Sequence, residues 1–343
     1  MNIYAACVIG AVLSFLVAFL SGFVIIPLLR KLKFGQTILD IGPKWHQKKQ
    51  GTPTMGGFLF ILSTLISFGA VLFADKRLGG HLIYSSEILA WQMKMKLFGG
   101  LIMALGFAFI GFLDDYIKVV KKRNLGLTVL QKTALQFILG LGYLLMLFIN
   151  DPTGSMFVPF LGTIETGVGF WAIGLAVIYC TVNAVNFTDG VDGLCGSVTF
   201  AAAISFVAVA ALRSCFGISL LSACLAGGLL GYLIWNHYPA KVMMGDLGSM
   251  FLGGLVVAFS YAVDCPLIIL LIGIVYVIEF SSDIIQIIYF KATHGKRVFK
   301  MAPLHHHLEM SGWKEDKIVG VFTFIGALGG AAATALVYFG NLR

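Results

Sequence analysis

The chain has 343 residues, of which 59% are hydrophobic and only 12% charged, with a mean hydropathy of +0.93. Soluble domains carry about 25% charged residues, so a water-soluble globule is excluded, whereas a bilayer accepts helices that are apolar all round. The net charge of +8 is concentrated in a few inter-span segments, and this distribution carries topological information.

A spanning helix needs roughly 20 mostly apolar residues. Ten stretches qualify: 3–29, 54–74, 97–113, 129–149, 168–186, 196–213, 217–235, 247–263, 266–290 and 318–340. The first has no basic residue ahead of it and is followed directly by Arg30, Lys31 and Lys33. That pattern predicts a retained span, not a cleaved leader. Segment 75–96 is expected to fold back on the outer surface. Segment 150–167, with Asp151-Pro152, Gly154, Gly162 and Gly167, predicts turns or a short hairpin. The alternate loops 30–53, 114–132, 187–195, 236–246 and 291–317 carry 18 of the 24 Lys and Arg. By the positive-inside rule these loops are cytoplasmic and both termini lie outside. Six scattered cysteines, mostly within apolar runs, read as small hydrophobes and not as a disulfide framework or zinc site.

The acidic residues are the most informative. Asp114, Asp115, Asp189, Asp192, Asp246 and Asp283 fall at or near cytoplasmic ends of predicted spans. An acid in a lipid-embedded helix costs about 2.5–3.5 kcal/mol, so such placement needs a reason. Asp114-Asp115 is expected to close the third span. Adjacent helical residues point about 100° apart, so at least one of the two faces the bundle. A solvated helix end paired with Lys118, Lys121 or Lys122 is the plain alternative. Against it, carboxylates at a helix C-terminus oppose the macrodipole, and clustered carboxylates suit a cation or a proton transfer.

Residues 183–193 (NAVNFTDGVDG) supply two Asp-Gly turns together with Asn183, Asn186 and Thr188. The Glu of a calcium-binding EF-hand loop is missing, which excludes that loop and leaves either a capped turn or an oxygen-rich site. In residues 244–249 (MGDLGS), Asp246 and Ser249 open the eighth span. They read as helix caps, as a metal–phosphate site, or as both. His305, His306 and His307 stand together in PLHHHLE. Contiguous residues rarely all reach one metal, which favours phosphate contact or acid–base work. Lys48, Lys49 and Lys132 serve as positive-inside anchors or as attractors of phosphate.

In this order, KQGTPTMGG (49–57), Asp114-Asp115, NAVNFTDGVDG, Asn236, MGDLGS and PLHHHLE resemble the polyprenyl-phosphate N-acetylhexosamine-1-phosphate transferases over essentially the whole chain. The triple histidine and GTPTMGG are similar to the branch that handles a muramoyl-pentapeptide. The resemblance implies an all-α, polytopic single transmembrane catalytic domain over residues 1–343. About ten transmembrane helices, N- and C-termini outside and a cytoplasmic active site are expected, in the bacterial inner membrane. It also implies Mg²⁺, a homodimer, bilayer lipid as surroundings and no nucleic-acid partner. The implied substrates are UDP-MurNAc-pentapeptide and undecaprenyl phosphate. Carried over by position, Asp246 is the metal ligand and Asp114 and Asp115 are catalytic acids beside it. Asp189, Asp192 and Asn186 complete the acidic cluster, Asp192, Asn236 and Lys49 lie near the nucleotide, and Thr54 is a further substrate-binding residue. His305, His306 and His307 border the pyrophosphate and sugar, and Lys118 and Lys132 attract phosphate. The chain departs from the family at Met243, where Phe is common, at Leu247, where Thr is usual, and at Leu308, where Phe is. A relative using another UDP-N-acetylhexosamine is the nearest alternative. A secondary transporter, with Glu279 as its intramembrane acid, is the rival from another class.

Overall fold

In hydrocarbon every backbone N–H and C=O must be satisfied within the chain, and a helix does this segment by segment. The computed structural model, which describes residues 2–32, 51–80, 87–121 and 125–341, turns the apolar runs into helices accordingly. In chain order these are α1 (Ile3–Lys31), α2 (Gly57–Arg77), α3 (Glu87–Val120), α4 (Val129–Asn150), α5 (Gly169–Phe187), α6 (Leu194–Leu212), α7 (Phe216–Asn236) and α8 (Gly245–Ala262). A 3₁₀ turn (Pro266–Ile268) runs into α9 (Ile269–Ile272), and α10 (Ile274–Ala292), α11 (Leu304–Glu309) and α12 (Glu315–Asn341) follow. Among the described residues, nine helices are long and apolar enough to cross a membrane, or ten if the bent pair around Gly273 is one span. The protein is a multi-pass α-helical membrane protein.

Three expectations need correcting. The third span does not stop at residue 113: α3 is 34 residues long and continues past the acid pair to Val120. Lys118 bonds Asp114 at 2.6 Å from one turn on, which supports a helix where hydropathy alone reads an end. Asp114 and Asp115 therefore do not sit on the helix terminus, and the macrodipole argument against them lapses. Next, residues 87–96 are the first turns of α3 and not a surface excursion. Finally, residues 266–290 are not one straight span, because α10 departs at 86° from the piece before it. The break falls at Gly273, where a Cβ would lie 2.7 Å from the Ile269 carbonyl oxygen, so the residue that makes the bend is the one with no side chain to obstruct it.

Central to the bundle is α8, with 89% of its apolar window buried, against 28% for the peripheral α1. It packs between α3 and α5. Adjacent glycines let both neighbours approach: a Cβ at Gly253 would lie 2.7 Å from Val182 Cα of α5, and one at Gly254 2.8 Å from Ala104 Cα of α3. Small residues serve this purpose in membranes because apolar burial gives helices no reason to associate in lipid, leaving close packing to do so. The expected hairpin is present as β1 (Ser155–Val158) antiparallel to β2 (Gly162–Glu165), with Ser155 opposite Glu165. It is tied to the end of α8 by Phe157 N–H donating to the Asp264 carbonyl at 2.6 Å. All six cysteines are free; Cys195, Cys215, Cys224 and Cys265 are buried and Cys180 is exposed.

Candidate active site at one end of the bundle

Helices of alternating direction bring the C-terminal turns of α3 and α5 and the N-terminal turns of α4 and α8 to one end of the bundle. Thr128 caps α4 in a reciprocal capping box with Gln131, which fixes Lys132 in the first turn. At the start of α8, Gly245 takes φ +72°, a left-handed conformation that suits a residue without Cβ. A side chain there would meet Thr54 Oγ1 at 2.7 Å and would also strike the Asp115 carboxylate, so Thr54 and Asp115 both border this turn. The GTPTMGG segment is zipped to the same turn. Met243 N–H donates to the Pro53 carbonyl at 2.8 Å, Gly56 N–H to the Met243 carbonyl at 2.8 Å and Gly57 N–H to the Met244 carbonyl at 3.1 Å.

The result is one carboxylate triad. Oxygens of Asp114, Asp115 and Asp246 all lie within 4.8 Å of one another. Each is oriented by a named donor. Leu127 N–H donates to Asp114 at 2.9 Å and Leu247 N–H to Asp115 at 3.1 Å. Lys118 reaches Asp114 at 2.6 Å and Asp246 at 3.3 Å, and Lys132 reaches Asp246 at 2.8 Å. Asn186 Nδ2 donates to Asp246 Oδ1 at 3.0 Å and to Ser249 Oγ at 2.7 Å. Three carboxylates and two ammonium groups leave a formal charge of minus one at this point. Asp246 is thus not a helix cap, and the two lysines meet carboxylates in this structure.

Asp192 and Asn236 stand outside the triad and brace the neighbouring loop. Asp192 accepts from Ala240 N–H at 2.9 Å, while its own N–H donates to Glu315 Oε2 at 3.2 Å. Asn236 accepts from Gly193 N–H at 3.0 Å and donates to the Val242 carbonyl at 2.9 Å. Its Nδ2 also lies 3.9 Å from the sulfur of Met243, the residue that departs from the family pattern. Asp189 is half-buried on the turn before Gly190. Lys48 and Lys49 lie outside the described residues.

Each of the three histidines has a partner of its own. Fully buried His305 meets Glu279 through Nδ1 at 2.8 Å. His306 Nδ1 meets Glu309 at 2.7 Å, and His307 Nδ1 accepts from the Lys300 N–H at 3.0 Å. Glu279 and Glu309 are partners of these histidines that sequence reasoning did not assign. For Glu279 the signal was present, since a carboxyl within a long apolar run requires a polar partner somewhere in the fold.

Among the described residues, nine or ten helices long and apolar enough to cross a bilayer form a bundle that gathers three carboxylates and two lysines at one end, which defines the class as a multi-pass membrane protein with a polar site at a bundle end. Residues 97–264 match glycosyl transferase family 4, and residues 49–61 match signature 1 of the phospho-N-acetylmuramoyl-pentapeptide-transferases. Proteins of that name from Listeria monocytogenes and Acetivibrio thermocellus are similar along nearly all their length. The first is 41% identical over 334 residues, covering 95% of this chain and 96% of its own. The second is 43% identical over 321 residues, covering 92% and 91%. The Clostridium acetobutylicum protein is 41% identical over 318 residues, 92% of this chain and 94% of its own. The chain belongs to the phospho-N-acetylmuramoyl-pentapeptide-transferase family, and it is an enzyme of the transferase class.

Proposed function

We propose that this chain transfers phospho-MurNAc-pentapeptide from UDP-MurNAc-pentapeptide to undecaprenyl phosphate. The products are UMP and undecaprenyl-pyrophosphoryl-MurNAc-pentapeptide (lipid I), the first lipid-linked peptidoglycan precursor. The observation that carries this reading is the Asp114–Asp115–Asp246 triad with Lys118 and Lys132, in a chain of this family. One substrate arrives from the bilayer and the other from water, which suits a site at the end of a membrane bundle.

Both substrates are anionic, so their repulsion must be neutralised before attack. The triad offers oxygen donors only, with no thiolate or imidazole, beside two lysines. That donor chemistry fits Mg²⁺, held by Asp246 together with Asp114 and Asp115. When bound, the ion supplies Lewis-acid neutralisation of diphosphate charge. Lys118 and Lys132 can turn from Asp246 to phosphate oxygens, since both are point charges on flexible stems. Asn186 holds the free face of Asp246 in place. Of the acid pair, Asp115 has the oxygen least engaged, with Oδ1 at 3.8 Å from Lys118, and it takes the proton of the lipid phosphate. The lipid phosphate oxygen then forms its bond to the sugar-linked phosphorus as the bond to UMP breaks. The same reading places the protein in the bacterial cytoplasmic membrane as a homodimer, one catalytic domain per chain, with this site facing the cytoplasm.

The test is UMP release and lipid-product formation by purified protein with both substrates, in Mg²⁺ and in EDTA, comparing wild type with Asp246→Asn. Chelation should abolish turnover, and the variant should lose at least about 100-fold with its fold intact. A folded wild type inactive with this and other UDP-sugars would sink the transferase chemistry proposed.

A further inference from the structure

Glu279 has no part in the mechanism above, yet it is completely buried on α10. An intramembrane carboxyl is costly unless it is fully bonded. Its two oxygens are both spent on one residue: Oε1 accepts the His305 backbone N–H at 3.2 Å, and Oε2 meets His305 Nδ1 at 2.8 Å. The opposite ring nitrogen, His305 Nε2, is buried and has no hydrogen-bond partner. It is aimed at Gly190, where any Cβ would collide with it. That glycine lies between Asp189 and Asp192, on the turn whose far end Asn236 clamps at Gly193.

A carboxylate can only accept, so the Nδ1 that faces it must carry hydrogen. In neutral imidazole the other nitrogen is then an acceptor. We propose that Glu279 is a positioning residue that holds His305 in the Nδ1–H tautomer and presents Nε2 as an acceptor to an N–H or O–H donor at the Asp189-Gly190 turn. Glu279 touches no substrate and acts through His305. The inference deepens the transferase reading and rests on it for its kinetic arm, whereas its tautomer arm is independent of any substrate.

Glu279→Gln gives a sharp test because glutamine has one oxygen. When that oxygen accepts the backbone N–H, the amide NH₂ faces Nδ1, and the ring must move its proton to Nε2. Nitrogen-15 NMR of histidine-labelled protein, with His305 assigned by its loss in His305→Ala, reads the tautomer directly. The expected result is Nδ1–H in wild type, Nε2–H in Glu279→Gln, and a fall in kcat/KM of about 10–100-fold, as for other residues that orient a site group. Adding Glu279→Gln to His305→Ala should change kcat/KM less than twofold. Nε2–H in the wild type overturns the proposal, as does a flip without kinetic loss or a loss without a flip. Should Glu279→Gln not fold, Glu279→Asp keeps both oxygens and is expected to keep the Nδ1–H tautomer; Nε2–H there overturns it too. Wild-type inactivity refutes the transferase reading and leaves the tautomer result to decide this one.

Discussion

Asp246 is held through both its side chain and its backbone. Its carboxylate is held by Asn186, Lys118 and Lys132, but its backbone is held by α3, which approaches so closely at Gly111 that a Cβ there would fall on the Asp246 carbonyl. Gly111 is one turn before Asp115, so the approach that brings the backbones together also brings the two carboxylates together. Gly111→Ala therefore pushes α8 from α3 at the triad itself. Overpacking of this kind costs about 1–3 kcal/mol, offset in part by the roughly 1 kcal/mol that Ala gains over Gly in a helix. The expected outcome is a small change in thermal stability with a loss of turnover at least tenfold. Activity retained at wild-type level would mean that the separation of α3 and α8 does not set the geometry of the triad.

At the scale of elements, α4 and α5 are joined by a polar ladder that leads to the triad. Asn183 Nδ2 donates to Gln136 Oε1 at 2.8 Å, and Gln136 Nε2 returns a bond to Asn183 Oδ1 at 3.4 Å. Lys132 is one turn before Gln136 and Asn186 one turn after Asn183, and both end on Asp246. The amide pair thus aligns the two helices whose next side chains hold the Asp246 carboxylate. Interhelical hydrogen bonds in membranes average about 0.6 kcal/mol and reach about 1.7. A double-mutant cycle of Gln136→Leu and Asn183→Leu should give a stability coupling in that range. Each single variant should slow transfer more than its melting shift explains. Additive melting shifts would show that the pair is not a joint. The other end of the bundle has its own latch, where Lys96 pairs with Asp264 and the Arg213 guanidinium lies 4.2 Å over the Phe157 ring.

For the whole molecule, the loop charges predict orientation, with Lys314 on the cytoplasmic side and Glu165 outside. Membrane-impermeant thiol reagent added to intact spheroplasts should label a Glu165→Cys variant, and a Lys314→Cys variant only after permeabilisation; the reverse pattern would invert the topology. Spans and loops were legible in the chain because apolar length and basic loops are linear properties, set by bilayer thickness and surface charge. The type of chemistry was legible too, because acids and histidines at span ends are expensive wherever they occur. The extent of α3 was not, because Asp114 and Lys118 stabilise a helix through pairing that a hydropathy window counts only as charge. The 86° departure at Gly273 was equally hidden, since a glycine in an apolar run permits a bend without requiring one. Tertiary structure alone decided which acids meet: Asp114, Asp115 and Asp246 converge, Asp192 turns to the Ala240 backbone, and Glu279 finds His305. Sequence by itself showed that these groups exist and put Asp114, Asp115, Asp192 and Asp246 at or near the ends of predicted spans. Which of them share a site was decided by glycine-permitted contacts between helices distant in the chain, because close approach depends on what lies opposite each glycine.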